Sequence, residues 1–209
     1  MSARTLYTIF AIAFATLAPL SANAQSKDKV TVFVNQKKPE IVAQFGVSEK
    51  TAEFYLHTML SALRAREDAN QDGTEVSRLY AETLDKYAQV VLLSEVVVAR
   101  GQELLDEMKD GVPGTPVPQS LVEKINDWAS FAGEVLVMSA DAGETAGRWA
   151  TQRVVQSDYC NSESEKHDFA KCDQILKETL STIRGVIDHM ATAVRAIGVM
   201  TLTVPRMTF

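Results

Sequence analysis

The sequence predicts a mainly α-helical protein, a bundle of about four helices, two of them long, with short strand-like segments at the N- and C-termini and one disulfide. The first observation is an apolar repeat within residues 175–197. It has four- and three-residue spacing, which places its members on one stripe of a helix. They are Leu176, Leu180, Ile183, Ile187, Met190, Val194 and Ile197. The second observation is that at least three other segments have helical character and can supply the partner helices that this stripe needs.

The first 24 residues predict a cleaved secretory signal peptide. Arg4 provides a basic start, residues 6–20 form an apolar run, and residues 22–24 (Ala-Asn-Ala) form a small-residue cleavage site. We therefore expect a single domain over residues 25–209 and a periplasmic or secreted location. No later stretch has transmembrane length without charge, so any association with a membrane would be peripheral.

The charge of the chain limits its partners. The formal net charge is −6, and removal of Arg4 with the leader makes it −7 for residues 25–209. An acidic chain lacks the electrostatic basis for holding nucleic acid or an anionic lipid surface. We therefore expect a protein partner or a homo-oligomer, and no nucleic acid.

The third observation that predicts the class is the pair Cys160 and Cys172, the only cysteines in the chain. An exported protein meets an oxidising compartment, so we expect these two residues to form a structural disulfide. The bridge would stabilise the fold by about 3 kcal/mol on the loop-entropy model. Redox catalysis is the weaker interpretation, because the tight Cys-x-x-Cys spacing that lowers a thiol pKa is absent.

Residues 29–35 and 199–204 each alternate Val or Leu with other residues, which is the period-two signature of a short strand. The second of these segments follows Gly198, which we expect to end the last helix. The two strands either pair with each other, since termini often lie close together, or each accepts a strand from a partner.

The helical segments follow in order. Residues 39–67 predict a helix that is broken at Phe45-Gly46 and restarts behind Ser48 as its N-cap. A turn-rich connection over residues 68–73 leads to a helix over residues 74–110, which would be roughly 50 Å long. Its apolar run contains Glu95, for which we expect burial with a raised pKa, or a position facing solvent or an arginine such as Arg184 or Arg195.

Residues 111–118 are rich in Gly and Pro and predict an exposed break. The next helix, over residues 120–156, carries a four-three repeat of mostly small side chains. We expect this repeat to pack against the bulky repeat of the last helix, with Trp128, Val135 and Trp149 filling the core beside it. The small repeat consists of Ala129, Gly133, Leu136, Ala140, Gly143, Gly147 and Ala150. A polar turn over residues 158–167 then leads to the last helix.

Asp68, Asn70 and Asp72, followed by Gly73, match the first half of an EF-hand calcium loop. Oxygen atoms at alternating positions of a tight turn suit a hard cation. The second half does not match, because Leu79 occupies the twelfth position, where a bidentate carboxylate is required. The three residues are therefore candidate calcium ligands, and an ordinary turn between helices is the alternative.

A second pattern lies in residues 39–67. Its residues are Ile41, Phe45-Gly46-Val47-Ser48, Lys50-Thr51, Leu56, Leu60 and Leu63. The segment resembles the helix-turn-helix half of the LuxR-type DNA-binding domain, and the resemblance implies that the helix beginning at Ser48 enters the major groove with Lys50, Thr51 and Tyr55 facing DNA. A glycine turn between two apolar helices in an acidic chain is the alternative interpretation.

No nucleophile elbow, phosphate loop or paired catalytic carboxylates can be identified, so we assign no catalytic or cofactor-binding residue and do not expect an enzyme. A hydrolase site assembled only in three dimensions would leave no such signature. We expect an exported bundle that acts through protein–protein interaction, for example as an accessory or assembly component of an envelope or secretion machine. The alternative is a periplasmic protein that binds a small ligand or calcium.

Overall fold

The structure, a computed structural model, describes residues 27–109 and 117–203. These residues form five helices and no strand: α1 (Lys27–Phe45), α2 (Glu49–Asp72), α3 (Glu75–Lys109), α4 (Gln119–Val155) and α5 (Phe169–Thr203). The mainly helical class is confirmed, with five helices in the described ranges where about four were expected. The predicted signal peptide at residues 1–24 and most of the predicted break at 111–118 lie outside these ranges.

Helix α3 is the centre of the fold. It packs against α2, α4 and α5, while α1 packs on α2 and α5 also packs on α4. Helices α2 and α3 are antiparallel, since Phe54 contacts Tyr87 and Arg66 pairs with Asp85. Helices α4 and α5 are likewise antiparallel. The bundle therefore surrounds α3, and α5 lies at its edge.

The strand predicted for residues 29–35 is wrong, because this segment forms the first two turns of α1. Phe33 and Val34 are buried, Val30 is half-buried, and Ile41 is buried about two turns later, whereas Val32 is exposed. This is a helical period rather than a period of two. Packing against α2 outweighs the strand preference of the valines, which is a weak local effect.

The strand predicted for residues 199–204 is also wrong as far as Thr203, where α5 ends, and Val204 lies outside the described residues. Gly198 does not end the helix. Ile197 is buried, and Met200 packs beside the core with its methyl group close to Gly101 of α3. Contacts at this three-residue spacing stabilise a helix by more than the roughly 1 kcal/mol that a helical glycine costs.

The packing predicted between the bulky repeat of the last helix and the small repeat of α4 is mostly wrong. Of the seven bulky residues only Met190 and Ile197 are buried. Instead, the face of α5 that contains Thr179, Val186 and Met190 packs against α3 and α4. Met190 does reach Gly143 of the small repeat, whereas a Cβ added at Gly133 or Gly147 would meet nothing within 4 Å. The expected burial of Trp128, Val135 and Trp149 is confirmed.

The predicted disulfide is confirmed: Cys160 and Cys172 are bonded, with their Cα atoms 4.9 Å apart. The bond closes the turn between α4 and α5. Asp168 begins α5 there, and its carboxylate accepts the backbone N–H groups of Ala170 and Lys171 at 2.9 and 3.1 Å. The hydrogen bond from Lys171 is the main reason that the pKa of Asp168 lies below its usual value.

Candidate functional site

The three candidate calcium ligands lie at the end of α2, where helix replaces the predicted turn. Asp68 and Asn70 are exposed helical residues. Helix α2 ends only at Gly73, whose φ of 64° allows the left-handed cap. Within the described ranges no three His, Cys, Asp or Glu side chains are grouped as a metal site would require.

Asp72 has a structural role in this position. One carboxylate oxygen accepts the N–H of Thr74 at 2.8 Å, and the other accepts the hydroxyl of Ser77 at 2.5 Å. These hydrogen bonds, the one from Ser77 above all, lower the pKa of Asp72. Thr74 in turn accepts the N–H of Ser77 at 3.2 Å. Asp72 and Thr74 therefore form the N-terminal cap of α3.

The surface that the LuxR resemblance implies is not formed as expected. Tyr55 is 1% exposed and lies in the core, so the expectation that it faces DNA is wrong. Burial raises the pKa of its hydroxyl. The break at Gly46 and the Ser48 cap of α2 are confirmed. Lys50 is exposed and Thr51 half-buried.

Glu95 of α3 is half-buried and contacts the start of α2. Its carboxylate accepts the backbone N–H of Ser48 at 2.6 Å and the Ser48 hydroxyl at 3.2 Å. Ser48 accepts the N–H of Thr51 at 3.3 Å, so one carboxylate on α3 extends the cap of α2. A negative charge is favourable at a helix N-terminus.

Lys86 of α3 makes polar contacts both within its own helix and with α4. Its ammonium lies 2.8 Å from a carboxylate oxygen of Glu82, 2.8 Å from one of Asp141 and 2.9 Å from the hydroxyl of Thr145. Burial lowers the pKa of Lys86, but hydrogen bonds to Asp141 and Glu82 more than offset this effect, so the pKa is raised. The contacts with Asp141 and Thr145 tie α3 to α4.

An exposed apolar stripe runs along α5, and we call it the α5 stripe. Its members share one side of the helix and are solvent-accessible to different extents: Phe169 82%, Leu176 38%, Leu180 63%, Ile187 48% and Val194 38%. Single exposed apolar residues are normal on a protein surface, whereas a contiguous row of them marks a contact site. The row arises because α3 and α4 cover only the neighbouring face of α5.

Small residues of α4 continue this surface. Ala129, Gly133, Ala140 and Gly147 are exposed, and we call them the α4 small stripe. Gly143 lies in the same row and would place a Cβ 3.3 Å from the Cε atom of Met190. Since that contact is made at the boundary between α4 and α5, the two stripes adjoin. Val137, also exposed, lies at the outer side of α4.

A groove of about 550 Å³ lies between α3 and α5. Val91, Val98 and Ala196 give it mainly apolar walls, and Glu95 and Asp188 also line it. Its volume is in the range of pockets that bind small molecules. The groove and the α5 stripe lie on different sides of α5.

No protein-family model, characterised protein or solved structure matches the chain. In the described part of the chain, no helix combines the length and the hydropathy needed to cross a bilayer.

The four-three repeat in α5 was visible in the sequence, but its exposure was not. Leu176, Leu180, Ile187 and Val194 belong to the repeat that we expected to be buried. Ile175, Thr179 and Val186 form a second row at the same spacing, and this row faces the bundle. Helices α3 and α4 cover only one of these two adjacent rows. The sequence feature that indicated this exposure was the width of the apolar face of α5, which includes both rows.

Proposed function

We propose that this protein is an exported helical bundle that acts by binding another protein molecule, as an accessory or assembly component of the cell envelope. The observation that carries the proposal is the α5 stripe, because four of the seven residues in a regular apolar repeat are at least 38% exposed. Helix-in-groove recognition uses such rows of apolar side chains.

Export is supported by two observations. The first 24 residues have the three-part pattern of a signal peptide, and the Cys160–Cys172 bond suits an oxidising compartment. The test is cell fractionation with N-terminal sequencing of the recovered protein. We expect a chain that begins at Gln25 and whose cysteines resist alkylation. A full-length chain with free thiols in the cytosol would contradict export.

The binding surface is tested by photo-crosslinking in cells of the native host. A benzoylphenylalanine placed at Leu180 or Ile187 is expected to form a protein adduct. The same residue at Gln174 or Ser181, which are exposed on another side of α5, is the matched control and should give none. Absence of any adduct from Leu180 and Ile187, or equal adducts from all four positions, would overturn the proposal.

A second candidate function is small-ligand binding in the groove between α3 and α5, and its volume of about 550 Å³ favours it. The apolar walls suit an apolar molecule. The neutral dye N-phenylnaphthylamine is a suitable probe. We expect its fluorescence to rise with the protein and the rise to be lost in Val98→Trp, with Val155→Trp, at an exposed position, as the control. Equal fluorescence from both variants would reject the groove.

Calcium binding at Asp68, Asn70 and Asp72 is tested separately. A bound cation stabilises the folded state by mass action, so a real site raises the melting temperature in about millimolar calcium. Unchanged melting in calcium and in chelator would reject the site. Asp72→Asn is a poor diagnostic here, because Asp72 also caps α3.

A further inference from the structure

The α5 stripe and the α4 small stripe are complementary in size, yet they lie side by side within one chain. Bulky residues on one helix pack best where small residues on another allow close approach. Within one chain, the bulky Met190 of α5 packs in this way against Gly143 of α4. Ile187 and Val194 remain exposed on α5, and Gly147 and Ala140 on the neighbouring α4 are exposed too.

We propose that two copies of this chain pair through this face, with Ile187 and Val194 of the α5 stripe of each copy lying on the α4 small stripe of the other. The inference rests on the proposed function, since it names the molecule that covers the α5 stripe. The contact is isologous, so each copy supplies both surfaces and the assembly closes as a dimer.

The direction of the two-fold axis follows from the size pattern. An axis parallel to the helices places α5 of one copy over α4 of the other. An in-plane axis across the helices would place α5 over α5 and bring the bulky rows together. The parallel axis also keeps the α4–α5 contacts antiparallel, as they are within the chain.

The register follows as well, because rotation about a parallel axis preserves the height of each residue. Met190 lies at the height of Gly143, and Arg153 pairs with Glu178 at 2.8 Å further along. Ile187 is three residues before Met190, or about 4.5 Å along the axis. Ile187 of one copy therefore lies between Gly143 and Gly147 of the other.

Gly147 leaves room for this register. A Cβ at Gly147 would meet nothing within 4 Å in the single chain. A second helix could therefore approach the backbone closely at this position.

The size of the face is sufficient for a stable dimer. Two adjacent helices present a face of roughly 35 Å by 20 Å, which gives about 1,400 Å² from both copies, above the roughly 1,000 Å² of specific interfaces. The nearby charges of α5 already have partners within the helix: Lys177 with Asp173 at 2.6 Å, and Arg184 with Asp188 at 3.7 Å. These charged side chains can stay hydrated at the edge of the dimer interface.

Sedimentation velocity of the processed protein, with its disulfide formed, tests the inference. We expect twice the monomer mass at about 100 μM. Ile187→Glu and Gly147→Leu should each weaken association at least about tenfold. Ile187→Glu places a charge in the buried interface. Gly147→Leu fills the space that Ile187 of the other copy would occupy. Ser181→Glu, at an exposed position off the stripe, is the control and should remain dimeric.

Circular dichroism of each variant establishes that the fold is intact, and Gly147→Leu is well suited because the single chain has room for the side chain. A photo-crosslinker at Ile187 should join peptides that contain residues 140–150 of a second copy. Monomeric wild-type protein, or a dimer that Ile187→Glu leaves unchanged, overturns self-pairing. If Leu180 and Ile187 then crosslink only to a different protein in cells, the proposed function stands without the dimer.

Discussion

The carboxylate of Glu95 on α3 caps α2 by accepting the backbone N–H and the hydroxyl of Ser48, a residue 47 positions earlier in the chain. The contact holds the N-terminus of α2 against the middle of α3. Ser48 thereby uses its own hydroxyl both to donate to Glu95 and to accept from Thr51. A local helix cap thus depends on a distant side chain.

Replacing this carboxylate should destabilise the protein. Glu95→Ala removes both acceptors and the favourable charge, so we expect the free energy of unfolding to fall by about 1–2 kcal/mol. Urea denaturation measures the effect. Glu103→Ala, an exposed glutamate on the same helix, is the control and should change stability by less than about 0.5 kcal/mol. Equal effects from both substitutions would contradict the capping role.

Gly101 should not tolerate a methyl group. The indole N–H of Trp128 donates to the carbonyl oxygen of Val97 at 2.8 Å, which holds the ring against α3. A Cβ at Gly101 would lie 3.1 Å from that ring and 2.7 Å from the Met200 methyl. Overpacking costs about 1–3 kcal/mol, against a gain of about 1 kcal/mol in helix propensity. We expect Gly101→Ala to lower the melting temperature.

Gly185→Ala is the matched control for this prediction. Gly185 is exposed in α5, and a Cβ there would meet nothing within 4 Å, so only the propensity gain remains. The two substitutions should therefore shift the melting temperature in opposite directions. An increase in both would show that Trp128 can move away from α3.

The disulfide should stabilise the protein mainly by restricting the unfolded chain over the loop that it closes. Cys160 and Cys172 are 12 residues apart, and the loop-entropy model gives about 3 kcal/mol for a loop of this size. We expect the Cys160→Ser, Cys172→Ser double variant to have a lower unfolding free energy by about this amount, with helix content preserved. Reductant should lower the melting temperature of the wild type and leave the double variant unchanged.

Asp72 should make stability depend on pH in the acid range. Its pKa is lowered from the usual 3.8, chiefly by the hydrogen bond from Ser77. The folded state therefore favours the ionised form, and this contribution is complete above the unfolded pKa and is lost as pH falls through the lower folded pKa. Asp72→Asn should reduce stability at neutral pH and approach the wild type in acid.

Urea midpoints measured from about pH 2 to pH 6 give this difference directly. Asp68→Asn, four residues earlier on an exposed face of α2, is the control. A difference between wild type and Asp72→Asn that is constant across this range would mean that the carboxylate charge does not contribute to the cap.

Local sequence patterns were sufficient for the boundaries of α3 and α4. The predicted helices at 74–110 and 120–156 agree with Glu75–Lys109 and Gln119–Val155 within the described residues. Helical period, Ser48 and the two cysteines are features of neighbouring residues or of residue type, so they are readable without a fold. The valines of α1 were misread because strand preference is weak compared with packing on α2.

The sequence by itself therefore determined the helical class, the length of α3 and α4, and the pairing of Cys160 with Cys172. Only the tertiary structure decided which of two adjacent apolar rows on α5 faces the bundle, and that Glu95 caps α2. The physical reason is that a helix with a broad apolar face can be buried on either row at similar local cost. The choice depends on the shape of helices distant in the chain, and here it leaves Leu180 and Ile187 exposed for a partner in the proposed function.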